Sequence, residues 1–128
     1  LERTIDFVFK RLFASDEHSP ALLDLVNAVF EAFNQPRITA LTVLNPYLDR
    51  DHEDDKTVIL DIRATTEDGQ TINVEMQMTD SGHFIHRMLY YWSELYGETL
   101  HAGHDYDKLC RTITINFLNF NMFKQILN

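Results

Sequence analysis

The spacing of apolar positions changes along the chain from three to four residues, to two, and back. Residues 3 to 14 place Ile5, Val8, Phe9, Leu12 and Phe13 on one apolar stripe with Asp6 and Lys10 beside it, which predicts a short amphipathic helix. "SPALLDLVNAVFEAF" opens with Ser19 as an N-cap and Pro20 at the first helical position. A second helix is expected there, with Leu22, Leu23, Val26, Val29, Phe30 and Phe33 on one face and an end near Asn34 and Pro36. From residue 38 the composition turns β-branched and aliphatic, and "ITALTVLN" predicts a strand stopped by Asn45 and Pro46. Two further strands are expected at about 57 to 64 and 71 to 78, separated by Glu67, Asp68 and Gly69. Residues 83 to 96 return to helical spacing, with Phe84, Ile85, Met88, Leu89, Tyr91, Trp92, Leu95 and Tyr96 apolar and His83, His86, Arg87 and Glu94 off that face. "RTITINFLNF" predicts a fourth strand, and a further helix is expected from Met122. The order helix, helix, three strands, helix, strand predicts an α/β domain with a mixed sheet flanked by helices.

Side chains alternate along strands, so Val58, Leu60, Ile62, Ile72, Val74, Met76 and Met78 share an apolar face. Thr57, Asp61, Arg63, Asn73, Glu75 and Gln77 share the other, broken by Ile59. A two-residue Asp68-Gly69 loop would set position 61 against 76 and split both faces. A three-residue Glu67-Asp68-Gly69 loop, with Gly69 left-handed in a bulge, sets 61 against 75 and keeps them intact, so this register is expected. Directly opposed residues have Cβ atoms only about 5 Å apart, so Asp61 and Glu75 would repel each other unless a cation lies between them. Gln77 is within reach of the same place. The alternative is a wet sheet face on which Asp61 pairs with Arg63 or another cation.

The chain has 128 residues, 45% of them hydrophobic and 12% aromatic, which suffices for one packed core. It contains no repeat, low-complexity tract or Ser/Gly linker, so one domain over 1–128 is expected. It starts at Leu1 rather than Met and shows no basic-then-apolar leader, so this start reads as a boundary within a longer sequence and not as a signal peptide. No apolar run approaches the roughly 20 residues of a membrane span. One cysteine, Cys110, leaves nothing to pair with, which suits a reducing cytoplasm. The formal charge of -9 argues against nucleic acid held on a broad basic surface. Much of the excess sits in "DRDHEDD", residues 49 to 55, read as a solvated loop, with an auxiliary hard-cation site as the alternative.

Other signals have plain readings. His83 and His86, and His101 and His104, have ligand-like spacing, but no cysteine lies near them and two histidines do not complete a zinc shell. Tyr90, Tyr91 and Trp92 could stack on bases, yet their helical spacing favours core packing. Cys110 reads as a small buried residue. A Gly-rich phosphate loop and a G-x-S-x-G elbow are both missing.

An Asp near the end of one strand, a turn, then Glu-x-Gln on the next, with a helix before and after, resembles the PD-(D/E)XK nuclease superfamily. More narrowly, the chain resembles its recombination-promoting nuclease (Rpn-like) transposase branch. The matching segments are "DFVFKRLF" (6 to 13), "LNP" (44 to 46), "ILDIRA" (59 to 64), "DGQTINVEMQ" (68 to 77), "RMLYYWSELYGETLHAGHDYDKL" (87 to 109) and "ITINFLNF" (113 to 120), in family order. The resemblance implies a restriction-endonuclease-like core and DNA cleavage dependent on Mg2+, with Mn2+ as a substitute. It implies Asp61 and Glu75 as metal carboxylates and puts Gln77 where the wider superfamily has the lysine of E-x-K. Asp6 and Lys10 match the D-x-x-F-K opening of the first helix and join the expected catalytic set. Arg87, on the polar side of its helix, is a candidate to contact a substrate phosphate, with a surface arginine serving only solubility as the alternative. DNA is the implied partner, with a homodimer as an assembly state left open. Family chains commonly continue beyond the fourth strand, so a C-terminal continuation carrying basic surface is expected. The rival reading is a catalytically inactive nuclease fold acting as a binding or assembly module, motivated by the acidic charge and the missing lysine.

Overall fold

The computed structural model describes residues 2–46, 61–77 and 82–118, and of residues 2–7 the backbone alone. The acidic loop at 49 to 55, the strand residues 57 to 60, Met78 and the helix expected from Met122 lie outside the described residues.

Two helices come first, α1 (Glu2–Ala14) and α2 (Pro20–Ala32). α2 starts as its sequence dictates: the Leu22 N–H donates to Ser19 Oγ at 3.1 Å, and Pro20 stands at the first turn, where a missing N–H costs nothing. Leu22, Val26 and Phe30 follow at intervals of four and are buried. Asn27, buried among them, exchanges two hydrogen bonds with the backbone of Ile38: Nδ2 donates to the carbonyl at 2.9 Å, and the Ile38 N–H donates to Oδ1 at 2.8 Å. This explains a correction. The strand expected over 38 to 45 is reduced to β1 (Thr42–Val43), because Asn27 occupies the Ile38 backbone and the Val43 N–H donates to Glu17 at 2.7 Å.

β2 (Asp61–Thr65) and β3 (Thr71–Gln77) form the expected hairpin, with Asp61 opposite Glu75 and Ile62 opposite Val74. The Thr66 N–H bonds to Gln70 at 3.0 Å across Glu67, Asp68 and Gly69, and Gly69 has φ +84°, a conformation in which a Cβ would be strained. β4 (Thr112–Leu118) pairs parallel to β3, a connection that needs a crossover, here containing α3 (Phe84–Glu98) and a short 3-10 turn at Tyr106–Lys108. The sheet order is β1-β2-β3-β4.

The two faces of the sheet are covered differently. Ile62, Ala64, Ile72, Val74 and Ile115 pack against Phe9, Leu22, Val26 and Phe30 of α1 and α2 in one apolar cluster. α3 lies over the opposite, polar face: Arg87 bonds to Gln77, and the Trp92 indole N–H donates to the Thr112 carbonyl at 2.9 Å. That placement corrects the stripe expected on α3. Phe84 and Leu95 are buried, whereas Ile85, Leu89, Tyr90 and Tyr91 are exposed, because a polar sheet face offers little apolar surface against which a wide stripe could be buried. Tyr90 and Tyr91 therefore do not pack in the core; Trp92 stacks on Tyr96, with ring centroids 5.2 Å apart. The α1 stripe narrows similarly, with Phe9 buried and Val8 and Leu12 exposed, and Cys110 is half-buried. Among the described residues no helix is long and apolar enough to cross a membrane.

Candidate metal centre

Asp61 lies on the polar face by the alternation of side chains along β2, and the register puts Glu75 directly across from it. Asn45 sets the position of that strand. Its amide donates to the Asp61 carbonyl at 3.0 Å and accepts from the Arg63 N–H at 2.8 Å, so a side chain continues the ladder where β1 has ended. The Asn-Pro pair read as a strand stop thus also clamps the strand that carries Asp61.

The Asp61 carboxylate is 5% exposed and its two oxygens differ. Oδ2 accepts from Arg63 Nε at 3.1 Å, while Oδ1 is buried without a hydrogen-bond partner. Asn73, 3% exposed and two residues before Glu75 on the same face, also has a buried Oδ1 without a partner. A buried acceptor left unmet costs about 1–3 kcal/mol. Glu75 Oε2 accepts from Gln77 Nε2 at 2.9 Å, and Gln77 Oε1 accepts from Arg87 Nη2 at 2.8 Å. The approach of Gln77 to Glu75 is present, and so is the Asp61–Arg63 ion pair that belongs to the alternative reading of a wet sheet face.

These side chains line an open cleft of about 410 Å³ between the sheet and α3, which also receives Tyr91, Glu94, Leu95 and Glu98. Four carboxylates and two guanidinium groups face it, a balance that favours cations. The Tyr90 hydroxyl, beside Glu94, has its pKa raised first by a hydrogen bond to that carboxylate and then by its charge. Lys10 is buried, 8% exposed, on α1, which packs against β2, and it has an interaction partner. Asp6 lies one turn earlier on α1, and its side chain is outside the described residues.

A family model described as PD-(D/E)XK nuclease family transposase matches residues 3–127. The chain belongs to that family. No curated protein and no solved structure gives a match. The mixed four-stranded sheet between helices agrees with the restriction-endonuclease-like fold expected of a PD-(D/E)XK nuclease family transposase.

The donor set suits one kind of ion. Among the described residues no group of three or more His, Cys, Asp and Glu side chains converges as a metal cage. Mg2+ does not need one: it commonly takes one or two carboxylates and completes its shell with water and substrate phosphate. Asp61 and Glu75, all-oxygen and opposed, with one buried oxygen of Asp61 unmatched, fit that requirement. Two residues of this family member were not singled out by the sequence. Asn73 was visible only as a member of the polar face, and Asn45 only as a turn residue; burial and the hydrogen bonds of the fold give them their weight.

Proposed function

We propose that the chain is a metal-dependent DNA endonuclease of a mobile-element-associated, recombination-promoting type, acting in the cytoplasm, with Mg2+ or Mn2+ held by Asp61 and Glu75. The observation that carries this reading is the cross-strand pairing of these two carboxylates, with Asp61 Oδ1 buried and lacking a hydrogen-bond partner. When bound, the ion supplies Lewis acidity toward a phosphoryl oxygen and lowers the pKa of a water ligand. The protein does the rest. Arg63 and Asn45 hold Asp61 from its side chain and its backbone. Gln77 has a second amide hydrogen besides the one on Glu75, and that hydrogen can orient a nucleophilic water. Lys10 contributes positive charge near β2, and Asp6, one helical turn away, joins the same end of α1. The acidic cleft repels DNA until a cation is bound, which makes metal binding precede substrate binding.

A second reading has its own observation. Arg63 takes one oxygen of Asp61 and Gln77 one oxygen of Glu75, so each carboxylate is partly satisfied without metal, as a catalytically inactive binding module would be. Nicking of supercoiled plasmid in Mg2+ or Mn2+ separates the two. Nicking by the protein and its loss in Asp61→Ala and Glu75→Ala is the expected result; nicking untouched by both substitutions refutes the site. No nicking by the full-length protein favours the module. Parallel reactions on RNA test the choice of DNA.

A further inference from the structure

A guanidinium carries only donors, an ionised carboxylate only acceptors, and a primary amide one of each kind of end. Gln77 stands between the first two: Arg87 Nη2 donates to its oxygen at 2.8 Å, and its nitrogen donates to Glu75 Oε2 at 2.9 Å. The order is forced. Arg87 can engage only the amide oxygen, so the nitrogen is left for Glu75. Without Arg87 the amide oxygen loses its anchor, and the Gln77 side chain is free to swing away from Glu75. A lysine at position 77 could donate to Glu75 but has no acceptor for Arg87, and would set two cations against each other.

We propose that Arg87 is a positioning residue of the metal centre, acting through Gln77 to fix one oxygen of Glu75 and leave the other for the cation. This rests on the reading that Asp61 and Glu75 bind a divalent ion. Arg87 is half-buried on α3 and lines the cleft, so the relay ties the helix over the polar face to the strand that carries the site. This role is separate from the phosphate contact that its sequence position suggests, since Gln77 engages only Nη2 of a guanidinium that carries five N–H donors.

The test is titration of Mn2+ alone into the purified full chain, followed by calorimetry, with circular dichroism confirming that each variant is folded. Arg87→Met should weaken Mn2+ binding by about 10-fold, the lower end of what removing a residue behind a metal ligand costs. Gln77→Lys alone should weaken it as well. The double substitution Gln77→Lys with Arg87→Gln keeps the net charge and moves the amide to the helix, where its oxygen accepts from the new ammonium while that ammonium donates to Glu75. It should regain most of the affinity that Gln77→Lys loses, a rescue that a merely structural role would not produce. Affinity unchanged in Arg87→Met, or no recovery in the double variant, overturns the relay alone if Asp61→Ala still abolishes binding. Affinity unchanged in Asp61→Ala overturns the underlying metal site, and the relay with it.

Discussion

Asp61→Asn separates the cost of the metal centre from its use. In the metal-free protein the Asp61 carboxylate has one oxygen on Arg63 and one buried without a partner. The unmet acceptor costs about 1–3 kcal/mol, and a like charge directly across the sheet costs up to about 1 kcal/mol more. Against this stands the ion pair with Arg63, whose side chain is 42% exposed; such a pair contributes only about 0–1 kcal/mol. The asparagine can turn its oxygen to Arg63 and leave an uncharged NH2 at the orphaned position, so part of the lost pairing is kept and the repulsion with the opposed Glu75 is removed. The balance is a gain of about 1–2 kcal/mol without metal, a rise of roughly 4–8 °C in melting temperature for a domain of this size. With metal the order reverses. An ion at 100 times its dissociation constant stabilises the unsubstituted protein by about 2.7 kcal/mol, and the variant, short of a ligand charge, gains little. Thermal unfolding at pH 7 in EDTA and in excess MnCl2 measures both states. A variant that is less stable in EDTA, or that keeps the full metal-induced shift, refutes the reasoning.

Two further outcomes follow from the hydrogen bonds around the site and the turn. Asn45→Ala removes the two bonds that its side chain makes to the strand backbone at Asp61 and Arg63; it should cost about 1–3 kcal/mol in denaturant unfolding and weaken Mn2+ binding without touching a ligand. Asp68, in the hairpin turn, has its pKa lowered from 3.8 first by its hydrogen bond with Thr66 and then by that with Gln70, so it favours the folded state above about that pH and loses this contribution as pH falls through its folded value. Asp68→Asn should therefore flatten the acid limb of the stability curve between neutral pH and pH 3, with the two proteins converging at the acid end; parallel curves would show that the turn carboxylate is energetically idle.

The legibility of the fold follows from where local rules meet no competitor. α2 could be read to the residue at its start because Ser19 and Pro20 act within one turn. The hairpin register could be read because parity and a left-handed Gly69 leave one loop length that keeps both faces coherent. β1 could not, since its shortening depends on Asn27, eleven residues before Ile38 and in the middle of an apolar helix. α3 misled for a related reason: periodicity reports how wide an apolar stripe is, not whether the surface beneath it is apolar. Asp61, Glu75 and Gln77 were legible as neighbours; the part of Arg87 was not, because spacing on one helix says nothing of a glutamine on a strand ten residues away.

Orphaned polar atoms by themselves do not mark a site. Gln70 Oε1 is buried without a partner too, yet it lies at the hairpin turn, in a separate cleft with Thr66 and Asp68. What distinguishes the polar face is convergence: Asp61 and Asn73, each with an unmet buried Oδ1, line the same cleft as Glu75, on adjacent strands. At about 1–3 kcal/mol each, two unmet acceptors take a sizeable share of the 5–15 kcal/mol that holds a typical domain folded. An apolar pair at these positions would relieve that cost and would be covered by α3 as well. The sequence instead keeps an aspartate against a glutamate and an asparagine beside them, while the opposite face of the same two strands is filled with Ile62, Ala64, Ile72 and Val74. A strand pair this well packed on one side has stability to spare for an unneutralised arrangement on the other. A hard cation removes the repulsion and fills the orphaned valence together, which ties the energetic cost of the polar face to the chemistry proposed for it.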